Sequence, residues 1–224
     1  MAIDYVDYPL NAGQFVNSVS NKTHVVWHGT MGRTRLTPYN GNPGQATSSI
    51  DGWNSDSLGR VGSTYLVDRA GTVYRCFDER YWIFHLGLSG TNGRYDKTSV
   101  GIEIANELNL IENDGKYYAF DKIHRNCEFV GDVHSETWRG ARHWAEMEEE
   151  QIDKTIELTL EICERNNIDP VFYYPSTIKR HPRCFNNATI LCHSNCRTDK
   201  KDLLLRPWVW DKIRAAGIGI FDDS

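Results

Sequence analysis

The 224-residue sequence lacks an excess of positive charge, a long apolar run and an internal repeat. Lys and Arg number 25 against 30 Asp and Glu, so the formal net charge is −5. This balance argues against binding to nucleic acid through bulk positive charge. No apolar run approaches the roughly 18 residues that a membrane helix needs. We therefore expect no nucleic-acid partner and no integral membrane segment.

The first ten residues, MAIDYVDYPL, have little of what marks a secretory signal peptide, because they carry neither a basic start nor an apolar stretch. We expect a chain without a signal peptide. Six cysteines are too few for a dense disulfide framework in a chain of 224 residues, which favours free thiols. The close trio Cys184, Cys192 and Cys196 leaves one disulfide or a metal site open.

What is present is a globular composition, with 40% hydrophobic and 12% aromatic residues. Short β-branched and aromatic runs predict strands over residues 23–27, 65–68, 72–77, 99–105 and 188–192. Asn113-Asp114-Gly115 predicts the turn of a small hairpin set on the main sheet. Residues 48–54 are compatible with a short helix.

Two longer helices follow from periodicity and end signals. Apolar residues at 152, 156, 160 and 163 predict a helix with one buried face between residues 146 and 166. Pro207 and Gly217 frame another helix over residues 208–216. Strands and helices alternate without a regular βαβ rhythm. We expect a mixed α/β fold, with a central mixed β-sheet flanked by helices in a single domain.

Two of the eight histidines stand where functional residues concentrate. His28 and His193 each follow a short apolar strand, where a rigid sheet meets a mobile rim. Two imidazoles, one anionic ligand and an open fourth position make a catalytic zinc site. The spacing is weak evidence, since no compact HExxH is present, and structural histidines remain an alternative.

Five segments, in this order, resemble the zinc-dependent N-acetylmuramoyl-L-alanine amidases of type 2. This superfamily includes amidase-type phage lysozymes, cytoplasmic muropeptide-recycling amidases and peptidoglycan recognition proteins. The segments are VVWHGT at 25–30, STYLVDRAGTVYRCF at 63–77, FHLG at 84–87, SVGIEIAN at 99–106 and CHSNCRTDKKD at 192–202. Together they span about residues 20–215.

The resemblance implies a zinc ion held by His28, His193 and Asp202. Glu103 matches the strand glutamate that serves as general base in many members, and its apolar strand would raise its pKa. Lys200 lies at the position of the lysine that stabilises the oxyanion.

His85 falls where the family's WHAG histidine lines the groove. Trp53 and Tyr39 are candidates for stacking on a sugar, with core packing as an equal alternative. Tyr65 lies one or two positions from a tyrosine that some phage members use, and it is a candidate for substrate binding only. The polar stretch 31–62 is interpreted as a wall of the groove.

The chain departs from the family pattern near its third ligand. The expected DPG is Asp202-Leu203-Leu204, so the loop must turn differently. Lys201 is an alternative for the lysine, and Cys192 and Cys196 are rival metal ligands. Residues 109–144 exceed what a minimal amidase needs and are interpreted as an insertion within one catalytic domain, 1–224, whose core covers about 20–216.

The resemblance implies hydrolysis of the amide bond between the lactyl group of N-acetylmuramate and L-alanine in peptidoglycan or muropeptides. We expect a monomeric phage endolysin, or a related lytic enzyme, held in the host cytoplasm until a holin releases it. A cytoplasmic recycling amidase and a non-catalytic recognition module are the alternatives. The latter typically lose a zinc ligand, whereas all three ligand positions are filled here.

Overall fold

The computed structural model describes residues 3–31, 34–37, 45–56, 59–120, 125–174 and 183–222. The strands are β1 (Tyr5–Asp7), β2 (His24–Gly29), β3 (Tyr65–Val67), β4 (Val73–Arg75), β5 (Ser99–Ile104), β6 (Asn109–Asn113), β7 (Lys116–Ala119), β8 (Val133–Trp138), β9 (Ala141–Ala145), β10 (Val171–Tyr174), β11 (Ile190–Cys192) and β12 (Gly219–Asp222). The helices are α1 (Ser48–Ser55), α2 (Arg94–Thr98), α3 (Glu149–Asn166), α4 (Arg183–Asn187), α5 (His193–Cys196) and α6 (Pro207–Ala215).

The main sheet has eight strands in the described part of the chain, in the order β1-β4-β3-β5-β2-β11-β10-β12. Its described neighbours pair in parallel, except for the antiparallel hairpin of β3 and β4. The central strand β2 reads HVVWHG, and Val25, Val26 and Trp27 are fully buried. A continuous apolar run suits a parallel strand that is covered on both faces. The predicted mixed α/β class with a central sheet and helices is confirmed.

Helix α3 covers one face of this sheet. The predicted apolar stripe is present, and Ile152, Ile156 and Cys163 are buried. The buried face also includes the polar residues Thr155 and Thr159, which periodicity alone did not reveal. Each hydroxyl donates to the carbonyl four residues earlier, so burial leaves neither hydroxyl unsatisfied. The helix ends at Asn167 in the left-handed conformation.

Strands β6, β7, β8 and β9 form a second sheet, in the order β7-β6-β9-β8. The hairpin of β6 and β7 exists, but its predicted place on the main sheet is wrong, because β6 pairs with β9. Strands β8 and β9 were not predicted, since exposed polar residues interrupt their alternation. This sheet packs on a separate apolar cluster of Leu36, Leu110, Ala119, Cys127, Phe129 and Ala145.

All six cysteines are buried, and none of them forms a disulfide bond. Among the described helices, none combines the length and apolar character needed to cross a membrane.

A buried hydrogen bond between the central strand and α3 provides a test of this packing. Trp27 Nε1 donates to Thr159 Oγ1 at 2.9 Å. Replacing Thr159 with Val preserves the shape but leaves the indole N–H unsatisfied, so we expect the free energy of unfolding to fall by about 1–3 kcal/mol. Chemical denaturation measures this change. Thr159→Ser keeps the acceptor and is the control; equal losses in the two variants would contradict the assignment.

Candidate active site

The carboxyl ends of neighbouring parallel strands bring the candidate residues together. His28 is the penultimate residue of β2 and is in register with Glu103 on β5. His193 follows directly after β11, which pairs with the other side of β2. Ligand sites of open α/β sheets lie outside the carboxyl ends of the strands, as this cluster does.

Strand alternation separates the residues of the cleft from those of the core. Trp27 and Ile102 are in register and pack in the core cluster beneath α3, whereas His28 and Glu103 line the cleft on the other face. Tyr65 is in register with Ile102, is only 3% exposed, and does not line this cleft. Its hydroxyl donates to Glu79, so the structure does not place Tyr65 where it could contact substrate at His28.

Three potential ligand atoms converge at the strand ends. His28 Nδ1 lies 3.0 Å from His193 Nδ1, and Asp202 Oδ2 lies 3.0 Å from His193 Nδ1 and 3.6 Å from His28 Nδ1. A tetrahedral zinc ion with bonds of 2.0–2.1 Å sets its ligand atoms about 3.3 Å apart. The observed separations therefore fit one face of such a tetrahedron. In the described part of the chain, this trio is the cluster that could hold a metal, and it includes neither Cys192 nor Cys196.

Hydrogen bonds behind His28 determine which of its nitrogens carries the proton. Ser99 Oγ donates to the Tyr95 carbonyl at 2.6 Å, so it accepts from His85 Nε2 at 2.8 Å. His85 Nδ1 is then an acceptor and receives the proton of His28 Nε2 at 2.8 Å. This relay of hydrogen bonds, from His28 through His85 to Ser99, leaves an unprotonated Nδ1 on His28, pointing at Asp202 and His193.

His193 is held in the same tautomer by a single contact. Its Nε2 lies 2.9 Å from the carbonyl oxygen of Leu86, which can only accept, so Nε2 carries the proton. Two unprotonated nitrogens and a carboxylate oxygen thus face one point. Lone pairs at these distances repel one another unless a cation lies between them, and outer-shell bonds of this kind are typical of metal-binding histidines.

The surroundings of His28 and Asp202 shift the pKa values of both groups toward their metal-binding protonation states. Desolvation, and then the charge of His193, lower the pKa of His28 to about 4, so its imidazole is neutral at pH 7. Burial disfavours the carboxylate of Asp202, but its interactions with His193 and His28 outweigh this effect and hold the pKa of Asp202 below its ordinary value.

Glu103 is a carboxyl group in an apolar setting beside this cluster. Burial, and then the charge of Asp202, raise its pKa to about 8, while Lys200 acts in the opposite direction. Its Oε2 has no hydrogen-bond partner among the described residues. Lys200 and Lys201 both line the cleft, but Lys201 Nζ lies over the ring of Phe120 at 5.0 Å. Lys200 is therefore the lysine whose charge acts on Glu103 and on the metal-site histidine.

The cleft around these groups has a volume of about 410 Å³. Trp53 lines it while also packing against the cluster around Ile50, so the stacking of Trp53 on a sugar stays a prediction. Tyr39 lies outside the described residues, as does part of the proposed groove wall at 31–62. Phe120, from the segment after β7, is 43% exposed and also lines the cleft.

A larger cavity of about 790 Å³ lies elsewhere, beside Tyr65, Glu79 and Arg165. Its charged groups pair with one another, since Arg165 donates to Glu79 at 2.8 Å and Tyr65 does so at 2.9 Å. Reactive groups are thus concentrated in the smaller cleft.

The rival cysteine ligands are unsuited to the site. Cys192 and Cys196 are 0% and 2% exposed and pack in apolar clusters. Burial raises the pKa of both thiols, which keeps them protonated, whereas a metal binds the thiolate.

Close packing against the strand backbone explains why β5 carries a glycine, Gly101, two residues before Glu103. A Cβ at this position would lie 2.5 Å from Ser63 Oγ and 3.1 Å from His85 Nδ1. The imidazole of the relay therefore packs directly on the strand backbone, and any larger residue would displace it.

Comparison with known proteins identifies the class. Residues 19–202 match the family of N-acetylmuramoyl-L-alanine amidases, and this match covers most of the chain. The chain therefore belongs to the N-acetylmuramoyl-L-alanine amidase family, and the resemblance seen in the sequence is confirmed. The matched range includes every candidate ligand. No curated protein is significantly similar to the chain in sequence.

Solved structures share the fold at low sequence identity. A mutant endolysin from Bacillus subtilis superposes with a TM-score of 0.52 at 12% identity, over 96% of this chain and 99% of that chain. The catalytic domain of XlyA gives the same values. The amidase AmiD from E. coli, solved in complex with anhydro-N-acetylmuramic acid-L-Ala-D-gamma-Glu-L-Lys, superposes with a TM-score of 0.50 at 20% identity, over 91% of this chain and 60% of the AmiD chain.

Sequence reasoning missed three residues that shape the site. Ser99 orients His85, Phe120 lines the cleft, and Arg139 contacts the loop that carries Lys200. The serine stands within the matched SVGIEIAN segment, which is a usable signal. The other two lie in a segment that offered no motif.

The raised pKa of Glu103 can be tested in protein stripped of metal. We expect its carboxyl group to lose its proton near pH 8, because burial and Asp202 disfavour the anion. Infrared difference spectra should show a protonated-carboxyl band that disappears as the pH rises through about 8, and Glu103→Gln should lack it. Added Zn²⁺ should move the transition to lower pH, since a nearby cation favours the carboxylate.

The same shift predicts a pH dependence of stability. The ordinary pKa is 4.5, so between about 4.5 and 8 the unfolded chain has lost a proton that the folded protein retains. The free energy of unfolding should therefore fall across this window, and Glu103→Gln should lack this component. Exposed Glu136→Gln is the matched control. A carboxyl band at residue 103 that vanishes near pH 4.5 would contradict the burial effect.

Proposed function

We propose that this protein is a zinc-dependent amidase that cleaves the bond between the lactyl group of N-acetylmuramate and L-alanine in peptidoglycan. The observation that carries the proposal is the convergence of His28 Nδ1, His193 Nδ1 and Asp202 Oδ2. The opposite nitrogen of each imidazole, Nε2, donates its proton away from this point, to His85 in one case and to the carbonyl of Leu86 in the other. Family membership supports the reaction class. Two neutral imidazoles and one carboxylate, with an open fourth position, are the donor set of catalytic zinc sites.

Zinc held by these three residues would supply Lewis-acid polarisation of a carbonyl group and would lower the pKa of water to about 7. The proton movements fall to Glu103, whose pKa is about 8 without a metal. A bound cation nearby lowers this pKa, so that the carboxylate is available to accept a proton near neutral pH. Glu103 accepts a proton from the attacking water and delivers it to the nitrogen of L-alanine as the C–N bond breaks.

Lys200 complements this chemistry with a fixed positive charge. It lines the cleft and its charge acts on both Glu103 and His28, and we expect it to stabilise the oxyanion that develops on the scissile carbonyl. Lys201, seated on Phe120, would instead contact the substrate at the rim of the cleft.

The cleft suits a substrate that continues beyond the scissile bond on both sides. Trp53 and Phe120 offer aromatic surface at its rim for the sugar or the stem peptide. A lytic enzyme of the phage endolysin type, made in the host cytoplasm and released to the wall, would use this surface on polymeric peptidoglycan. A recycling amidase would act on soluble muropeptides instead.

Metal binding has a direct test. Calorimetric titration of the chelator-treated protein with Zn²⁺ should give one site per chain. Asp202→Ala and His193→Ala should weaken it by more than the roughly 100-fold that loss of an outer-shell partner costs. Cys196→Ala is the control and should keep the affinity. Zinc lost in Cys196→Ala and retained in Asp202→Ala would overturn the ligand assignment.

Activity is tested by mass spectrometry of muropeptides and of intact sacculi incubated with the zinc-loaded protein. We expect newly freed L-alanine amino groups, which a chelator abolishes. Glu103→Gln should keep its zinc and lose about 10²–10⁴-fold in rate. Lys200→Ala should lose about 10²–10³-fold.

Lys201→Ala, the neighbouring lysine, is the matched control and should lose much less. Faster release from sacculi than from soluble muropeptides supports the lytic assignment, and the reverse supports a recycling enzyme. No release under any metal condition would refute catalysis and favour a recognition module.

A further inference from the structure

The segment that carries Lys200 and Asp202 has little regular structure of its own. It follows α5, and residues 197–206 belong to neither a helix nor a strand. Its own backbone bonds include Ser194 N to the Asp202 carbonyl at 2.7 Å and Arg197 N to the His193 carbonyl at 3.3 Å. A loop that must present a ligand and a catalytic lysine within fractions of an ångström needs further support.

Arg139 provides contacts of this kind from the second sheet. It stands in the tight turn between β8 and β9, where Arg139 and Gly140 both have positive φ, of 47° and 74°. Its Nη2 donates to the Ser194 carbonyl at 2.7 Å. Its Nη1 donates to the Arg197 carbonyl at 3.1 Å and also to the Lys200 carbonyl.

The guanidinium group of Arg139 is also held in place by an aromatic ring. The guanidinium carbon of Arg139 lies 4.5 Å from the centre of the Trp138 ring, a cation–π contact. Trp138 in turn packs on Trp144, which is 2% exposed and whose Nε1 donates to the Glu136 carbonyl at 2.8 Å. The guanidinium group and its N–H donors are thus held by packing against the buried part of the second sheet.

In the chain, the three carbonyls that Arg139 binds all lie between two of the proposed metal ligands. Ser194 follows the ligand His193, and Lys200 precedes the ligand Asp202 by two residues. Only a planar guanidinium can direct several N–H groups at separate acceptors in one plane, whereas an ammonium is a point donor. One side chain therefore fixes the backbone at both ends of the segment between the two ligands.

We propose that Arg139 is a positioning residue for the active site, and that the second sheet serves to deliver it to the 194–202 segment. This gives a function to residues 109–144. The effect on turnover rests on the proposed amidase activity, whereas the effect on the backbone and on metal affinity does not.

The test compares Arg139→Ala and Arg139→Lys with Arg142→Ala, which removes an exposed arginine from the same hairpin. Zinc affinity is measured by competition with a chelator, and hydrogen exchange is followed in peptides covering 194–202. We expect Arg139→Ala to lower zinc affinity or kcat by about 10–100-fold, with KM nearly unchanged. Exchange should accelerate in 194–202 and stay unchanged in β8 and β9.

Chemical rescue separates positioning from general destabilisation. Millimolar guanidinium should restore part of the lost zinc affinity and kcat in Arg139→Ala, and Arg139→Lys should recover less than full function. Arg142→Ala should match the wild type. Wild-type zinc affinity and exchange in Arg139→Ala would overturn the proposal, as would faster exchange throughout the second sheet. If the wild type frees no L-alanine amino groups, the amidase proposal fails, while the exchange and zinc measurements still decide the proposal for Arg139.

Discussion

The structure depends on holding three electron-pair donors together where each would otherwise repel the others. His28, His193 and Asp202 meet within 3.0–3.6 Å, and they are only 2%, 4% and 6% exposed. Water therefore cannot separate or solvate them freely. The arrangement requires the imidazole protons to lie on the Nε2 atoms, where His28 donates to His85 and His193 donates to the carbonyl of Leu86. A cation between the converging lone pairs would compensate their repulsion.

Burial at the strand ends has one physical effect with two chemical consequences. An apolar environment disfavours charge of either sign, so it lowers the pKa of His28 to about 4 and raises that of Glu103 to about 8. The first shift leaves a neutral imidazole, which the proposed metal site requires, and the second leaves a carboxyl group that can exchange protons in the proposed reaction. The alternation of β2 and β5 places both side chains on the same face, so a single desolvated cleft serves both.

The second sheet changes how the site is understood. The main sheet supplies His28 and Glu103 from regular strands and His193 from the position directly after one. Strand pairing fixes the positions of these residues. Lys200 and Asp202 come from an irregular segment whose carbonyls are bound by Arg139. The rigid and the irregular halves of the site are thus stabilised by different parts of the chain, and the second half depends on a contact across about sixty residues.

By itself, the sequence determined the residue chemistry, the central strands, α3 and α6, and the family, because each rests on local periodicity or on a short ordered motif. Short strands such as β1, β10 and β12 depend on partners far along the chain and were not predicted. Only the tertiary structure decided the strand register that keeps Tyr65 out of the cleft and the distances that bring Asp202, and neither Cys192 nor Cys196, together with the two histidines. It also revealed the relay through Ser99 and the contact of Arg139. These properties are relations between distant residues, set by packing and hydrogen bonding, and no local pattern encodes them.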